Sequence, residues 1–162
     1  MFTYKIEIPG KPIAKKTHRD GTKVLSFDSR IGRYCYRSVK YNPLSKEVEQ
    51  VKKQMLMQYP FELLDEPLKI EYLFQFQITK SWSKKQKQEA LDGRLQHWQK
   101  PDVSNLVKFY EDCMIGTIFV DDCIIVSSPP LKCWAEESKT TIWIRPFTVR
   151  ELRQRLQELL DG

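Results

Sequence analysis

The run LKIEYLFQFQI, Leu68 to Ile78, constrains the fold more than any other stretch. Leu68, Ile70, Tyr72, Phe74, Phe76 and Ile78 alternate with Lys69, Glu71, Gln75 and Gln77, and successive side chains of a strand point to opposite faces. The run therefore predicts a strand with one buried and one wetter face. Such a strand needs neighbours in a sheet and a second layer over its apolar side. Phe2, Tyr4, Ile6 and Ile8 repeat the alternation until Pro9-Gly10 breaks it, so the chain opens with a strand. Asn42-Pro43 precedes a helix from about Leu44 to Met57, with Val48, Val51, Met55 and Leu56 on its apolar face. SKKQKQEALDGRLQHWQK reads as a short exposed helix to Leu91 and a turn at Asp92-Gly93. Ile118 to Val126 and Thr141 to Ile144 read as two further strands, joined through SSPPLKCW.

The C-terminal segment is helical. Thr148 and Glu151 form a capping box, and Val149, Leu152, Leu156, Leu159 and Leu160 make an apolar stripe among Arg150, Arg153, Arg155 and Glu158. The stripe packs on its own sheet by default, with a second copy of the chain as the alternative. A length of 162 residues, 41% hydrophobic, suits a single core. The expected organisation is one compact α/β, more narrowly α+β, domain over residues 1–147, with 148–162 a helix of that domain or of a dimer contact.

Several classes are set aside. No apolar run approaches the roughly 20 residues that span a bilayer, and the N-terminus alternates where a signal peptide would be uniformly apolar, so a soluble cytoplasmic protein is expected. Cys35, Cys113, Cys123 and Cys133 include no CxxC pair and only His18 and His97 could join them, which argues against a zinc site and for buried reduced thiols. The net charge of +6 is lopsided: residues 1–60 hold 13 Lys/Arg against five Asp/Glu. Lys11 to Arg37 mixes these cations with Phe27, Tyr34 and Tyr36, as a loop that neutralises phosphates and stacks on bases would; a solvated surface loop is the plainer alternative.

The chemistry lies in KPDVSNLVKFYEDCMIGTIFVDD, Lys100 to Asp122. Pro101 and Asp102 start a helix near Val103 that ends near Gly116. Ser104, Asn105, Lys108, Glu111 and Asp112 fall on one polar face of it, opposite Leu106, Val107, Phe109, Tyr110, Cys113 and Met114. Asp121 and Asp122, adjacent in the following strand, point to opposite faces. Asp102, Asp122 and Lys108 could converge on a magnesium site in which carboxylates ligate the ion and the lysine offsets charge on a phosphate. The alternative is structural: Asp102 caps the helix, Lys108 pairs with Asp112, and Asp121-Asp122 marks a turn.

KPDVSNLVK followed by EDCMIGTIFVDDCIIV resembles the signature of the RusA-type Holliday junction resolvases, small phage and prophage endodeoxyribonucleases. IPGKPIAKK is similar to that family's first strand and basic loop, and KSWSKKQKQEALDGRLQHWQK to its polar insertion. The resemblance implies a RusA-like fold with a small mixed sheet. It implies a magnesium-dependent, structure-specific endonuclease, with manganese as a substitute, acting in DNA recombination and repair. It further implies a bacterial or phage-encoded homodimer that resolves four-way junction DNA by paired symmetric nicks. By this likeness Asp102, Lys108 and Asp122 are catalytic, Asn105 is the motif asparagine, and Asp102, Asp122, Asp121 and Ser104 surround the metal.

Ser104 departs from the pattern, since the family usually has Asp-x-Asp-Asn where this chain has Asp102-Val103-Ser104-Asn105. A hydroxyl can ligate magnesium but adds no charge. Glu71, Glu111 and Asp112 are the candidate compensating acids. A junction-binding protein with weak or lost catalysis is the alternative function. Lys11, Lys15, Lys16, Arg19, Lys100 and Lys132 are the favoured DNA contacts, with surface solubility as their plainer role.

Overall fold

The computed structural model describes residues 3–16, 19–30 and 32–161. Its centre is the alternating run: β4 spans Leu68–Gln77, with every odd position from the start fully or nearly buried. β7 (Lys139–Pro146) runs antiparallel along one side of β4, placing Ile142 opposite Tyr72 and Ile144 opposite Ile70. β1 (Tyr4–Pro9) pairs antiparallel with the outer side of β7. On the other side of β4 two short strands run parallel to it in succession. β5 (Ile125–Ser127) lies against its start, and β6 (Pro130–Ala135) against Tyr72 to Gln77. The sheet is therefore mixed, and the fold is a compact α+β unit of the expected class.

Parallel strands need a crossover, and the central helix α3 (Val103–Met114) provides it between β4 and β5. Its buried residues Leu106, Phe109, Tyr110, Cys113 and Met114 are those expected for its apolar side. Together with Val51 and Met55 of α1 (Ser45–Gln58) they cover the apolar face of the sheet. Truncating a fully buried core residue such as Leu106 to Ala costs about 2–5 kcal/mol. The other sheet face is wet, as antiparallel edges permit, and carries the ion pairs Lys69–Glu71 and Lys5–Glu7–Lys139.

Four expectations need correction. The basic loop contains a hairpin, β2 (Arg19–Asp28) with β3 (Arg33–Tyr41), closed by a turn that uses Gly32 at φ +63°. Turn residues among the cations hid the alternation of its arms. Ile118 to Val126 is not one strand: the chain turns at Gly116, runs through a short helical turn at Asp122–Ile124, and only then enters β5. SSPPLKCW is no mere connector, because it carries β6. Leu56 is exposed, off the apolar face of α1.

α2 (Lys84–Leu91) is capped by Ser83 and ends at the Asp92-Gly93 turn, as expected. α4 (Val149–Leu160) carries the expected Thr148/Glu151 capping box. None of its residues is buried, so its stripe does not pack into the core. Cys113 is buried as expected, but Cys123 is exposed, and the side chains of His18 and Cys35 lie outside the described residues. No described helix is long and apolar enough to cross a membrane.

Candidate active site

Asp102 has the extended backbone of an N-cap residue, φ −69° and ψ 139°, and its carbonyl accepts the Leu106 N–H at 3.1 Å. Its carboxylate makes no capping bond. An aspartate at this position ordinarily satisfies the second or third helical N–H; here the group stays exposed at the positive end of the helix dipole.

The approach to Asp102 is pinned from β6. The Lys132 ammonium donates to the carbonyls of Gln99 at 2.5 Å and Pro101 at 3.0 Å. Partial burial lowers the Lys132 pKa, and the charge of Asp102 opposes that shift. Lys132, expected as a DNA contact, is thus engaged with the segment that delivers Asp102 to the surface.

The rest of the α3 polar face is as the periodicity required. Ser104, Lys108 and Asp112 are exposed, and Asn105 and Glu111 are half-buried. The segment after β1 lies along this face. Lys15 donates its backbone N–H to the Asn105 carbonyl at 2.8 Å and pairs its ammonium with Asp112 at 2.7 Å. The Tyr110 hydroxyl accepts the Ile13 N–H at 3.2 Å and the Thr140 hydroxyl at 2.8 Å. Lys15, not Lys108, is therefore the partner of Asp112. Lys11, Lys16 and Lys100 are exposed, while Arg19 begins β2 with its side chain outside the description.

At the far end of the face, burial raises the pKa of Glu111, with Asp122 and Asp112 adding to the shift. The Ser128 hydroxyl, 3.4 Å from the Glu111 carboxylate, and Lys108 oppose it. Asp121 and Asp122 do not alternate along a strand as expected. The Asp121 carboxylate accepts the Cys123 N–H at 2.9 Å and so caps the short turn, which holds its pKa below the usual range. A local side-chain bond to the backbone has replaced the strand ladder. Asp122, the first residue of that turn, is exposed.

The three compensating acids now differ. Glu71 faces away from α3, on the opposite side of β4 from Tyr72, and pairs with Lys69 at 2.6 Å. Asp112 pairs with Lys15. Glu111 lies in the field of both Asp122 and Lys108. It is nine residues from Asp102, about 13 Å along the helix axis.

Among the described residues, no group of three His, Cys, Asp or Glu side chains gathers as a metal cage. Asp102, Asp122 and the Ser104 hydroxyl are all oxygen donors with two negative charges. That set fits a hard divalent ion that keeps part of its water shell and completes its coordination with substrate phosphate. It does not suit a closed all-protein site. The contacts of Lys132 and Lys15 were not legible in the sequence, since each joins residues far apart in the chain and has no local motif.

Residues 9–145 match the family model described as Endodeoxyribonuclease RusA. A relative from Bacillus subtilis (strain 168), "Uncharacterized protein YqaN", is 38% identical over 63 residues, covering 39% of this chain and 44% of that protein. The chain thus spans less than half the length of this curated relative.

Proposed function

Because this chain belongs to the RusA family of endodeoxyribonucleases, we propose that it is a magnesium-dependent nuclease that resolves four-way DNA junctions by paired symmetric nicks. The observation that carries the reading is the Asp102 carboxylate, left without a capping bond at the helix start where the family motif lies. A divalent ion, when bound, polarises a non-bridging phosphate oxygen and makes a water more acidic. Asp102 and Asp122 would hold magnesium or manganese, and Ser104 offers a neutral oxygen beside them. Asp121 shapes the turn that presents Asp122.

Lys108, exposed one to two turns into α3, offsets the negative charge that grows on the phosphoryl oxygens. Glu111 supplies negative field near Asp122 in place of the carboxylate missing at Ser104. Lys132 is a positioning residue that keeps residues 99–101 in register with the site. Lys11, Lys15, Lys16, Arg19 and Lys100 are assigned as phosphate contacts, a role that sets affinity and its salt dependence.

Two-fold cleavage of a two-fold junction is most simply done by a two-fold enzyme. The uncovered stripe of α4 supports self-association: Val149, Leu152, Leu156 and Leu159 are spaced 3, 4 and 3, the a/d rhythm of a helix seam.

A second reading, junction binding without turnover, is favoured by Ser104 and by the absence of a three-acid cluster among the described residues. Competition between a four-way junction and a linear duplex of equal length, followed by magnesium-dependent cleavage, tests both. Junction preference with paired nicks supports the nuclease, junction preference without nicks supports the second reading, and equal affinity contradicts both.

A further inference from the structure

A recess of about 560 Å³ opens beside the candidate site, between the end of β1, the end of β4, the β6–β7 turn and the segment that leads into α3. Its volume is that of a small-ligand pocket, and no proposed catalytic residue lines it. Three rings form one side. His97 lies 4.3 Å from Phe76 and 4.1 Å from Trp134, centroid to centroid. His97 is only 7% exposed, and its Nδ1 and the Trp134 Nε1 are both buried with no hydrogen-bond partner among the described residues. Lys11 and Lys100, both exposed, bring positive charge to the lining, and Glu137 brings a carboxylate.

An aromatic wall, two ammonium groups and a carboxylate describe a ligand with a flat π-system, an anionic linker and N–H donors. A nucleotide with its base unstacked has all three. A base inside a duplex offers only its edges, so the recess selects a nucleotide that has left the stack. Lys100 is two residues from Asp102, which places their Cα atoms within about 7.6 Å of each other. Lys132 holds the carbonyls on either side of Lys100 and so ties the recess to the candidate site.

We infer that this recess binds one unstacked nucleotide next to the scissile phosphate, its base against Trp134, which His97 and Phe76 back, and its phosphate between Lys11 and Lys100. The pocket thereby selects the opened strands at a crossover over continuous duplex. The inference rests on the nuclease reading above and deepens it.

The test measures binding of the intact protein in EDTA to a four-way junction, and to junctions carrying a single abasic site at each nucleotide flanking the crossover. One position in each cleaved strand should lose about tenfold in affinity, as loss of a stacked base requires. Glu137→Gln should shrink that position-specific penalty, and Lys11→Ala with Lys100→Ala should weaken all junctions alike and flatten the salt dependence. Equal affinity for every abasic junction would overturn the pocket. If the protein still prefers junctions and nicks them in magnesium, the nuclease reading survives that result; no preference for junctions overturns both.

Discussion

Lys15 and Asp112 form an ion pair at 2.7 Å across the polar face of α3, and the backbone of the same lysine bonds Asn105 one turn from the helix start. The pair turns a stretch of basic sequence into a strap over the candidate site. It also gives one of the three candidate compensating acids a cationic partner.

Both partners are well exposed, with side-chain exposures of 40% and 44%, so the pair stabilises the fold by no more than about 1 kcal/mol. Asp112→Asn should therefore shift the urea midpoint slightly and leave the rate of junction cleavage near its parental value. A dead Asp112→Asn enzyme would return this residue to the catalytic set.

Glu111 gives a pH signature. Its pKa is raised in the fold, chiefly by burial, so the folded state binds its proton more tightly than the unfolded chain. Its contribution to stability is then fully present below the ordinary value near 4.5 and is lost as pH rises through the raised value. Glu111→Gln should be more stable than the parent at neutral pH, with the advantage fading toward acid, while cleavage falls. Urea titrations from pH 4 to 7 check the first part. An advantage that grows toward acid would contradict it.

The start of α4 responds to acid in the opposite sense. Arg145, paired with Glu151 at 2.5 Å, holds the Glu151 pKa down to about 2, with the Thr148 N–H assisting. A depressed carboxyl pKa stabilises the fold above the ordinary 4.5 and loses that effect as pH falls toward 2. Amide exchange in the first turn of α4 should accelerate across that interval, and Arg145→Gln should make it fast already at pH 5. Unchanged exchange in the variant would show that the pair does not anchor the helix.

The exposure of Leu156 (48%) and Leu159 (64%) predicts the fate of the α4 stripe. Sedimentation at micromolar concentration should give a dimer, and Leu156→Glu should give a folded monomer with unchanged thermal stability of the core. A monomeric parent, with and without junction DNA, would remove the dimer from the account.

How much of this was legible in the sequence depends on how local each signal is. β4, α3 and α4 could be read because period 2, period 3.6 and a capping box each lie within a dozen residues. The β2–β3 hairpin could not, because charge and turn residues masked its alternation. The strand expected around Asp121 failed for a similar reason: one aspartate found a backbone N–H two residues away and bent the chain. Ser104, Lys108 and the acids were placed on the correct helix face by spacing alone. Lys69 beside Glu71 follows from the strand period, but the neighbours of the other two acids were settled by tertiary contacts, Lys15 on Asp112 and Ser128 beside Glu111, that no local pattern encodes.

The most direct test is cleavage of a synthetic four-way junction in magnesium, in manganese and in EDTA by the parent, Asp102→Asn and Ser104→Asp. The parent should give paired nicks that require the metal, Asp102→Asn should bind the junction as tightly but cut at least 100-fold more slowly, as loss of a catalytic group does, and Ser104→Asp should cut at lower magnesium. Parental cleavage by Asp102→Asn, or paired nicks that persist in EDTA, would contradict the account at its centre.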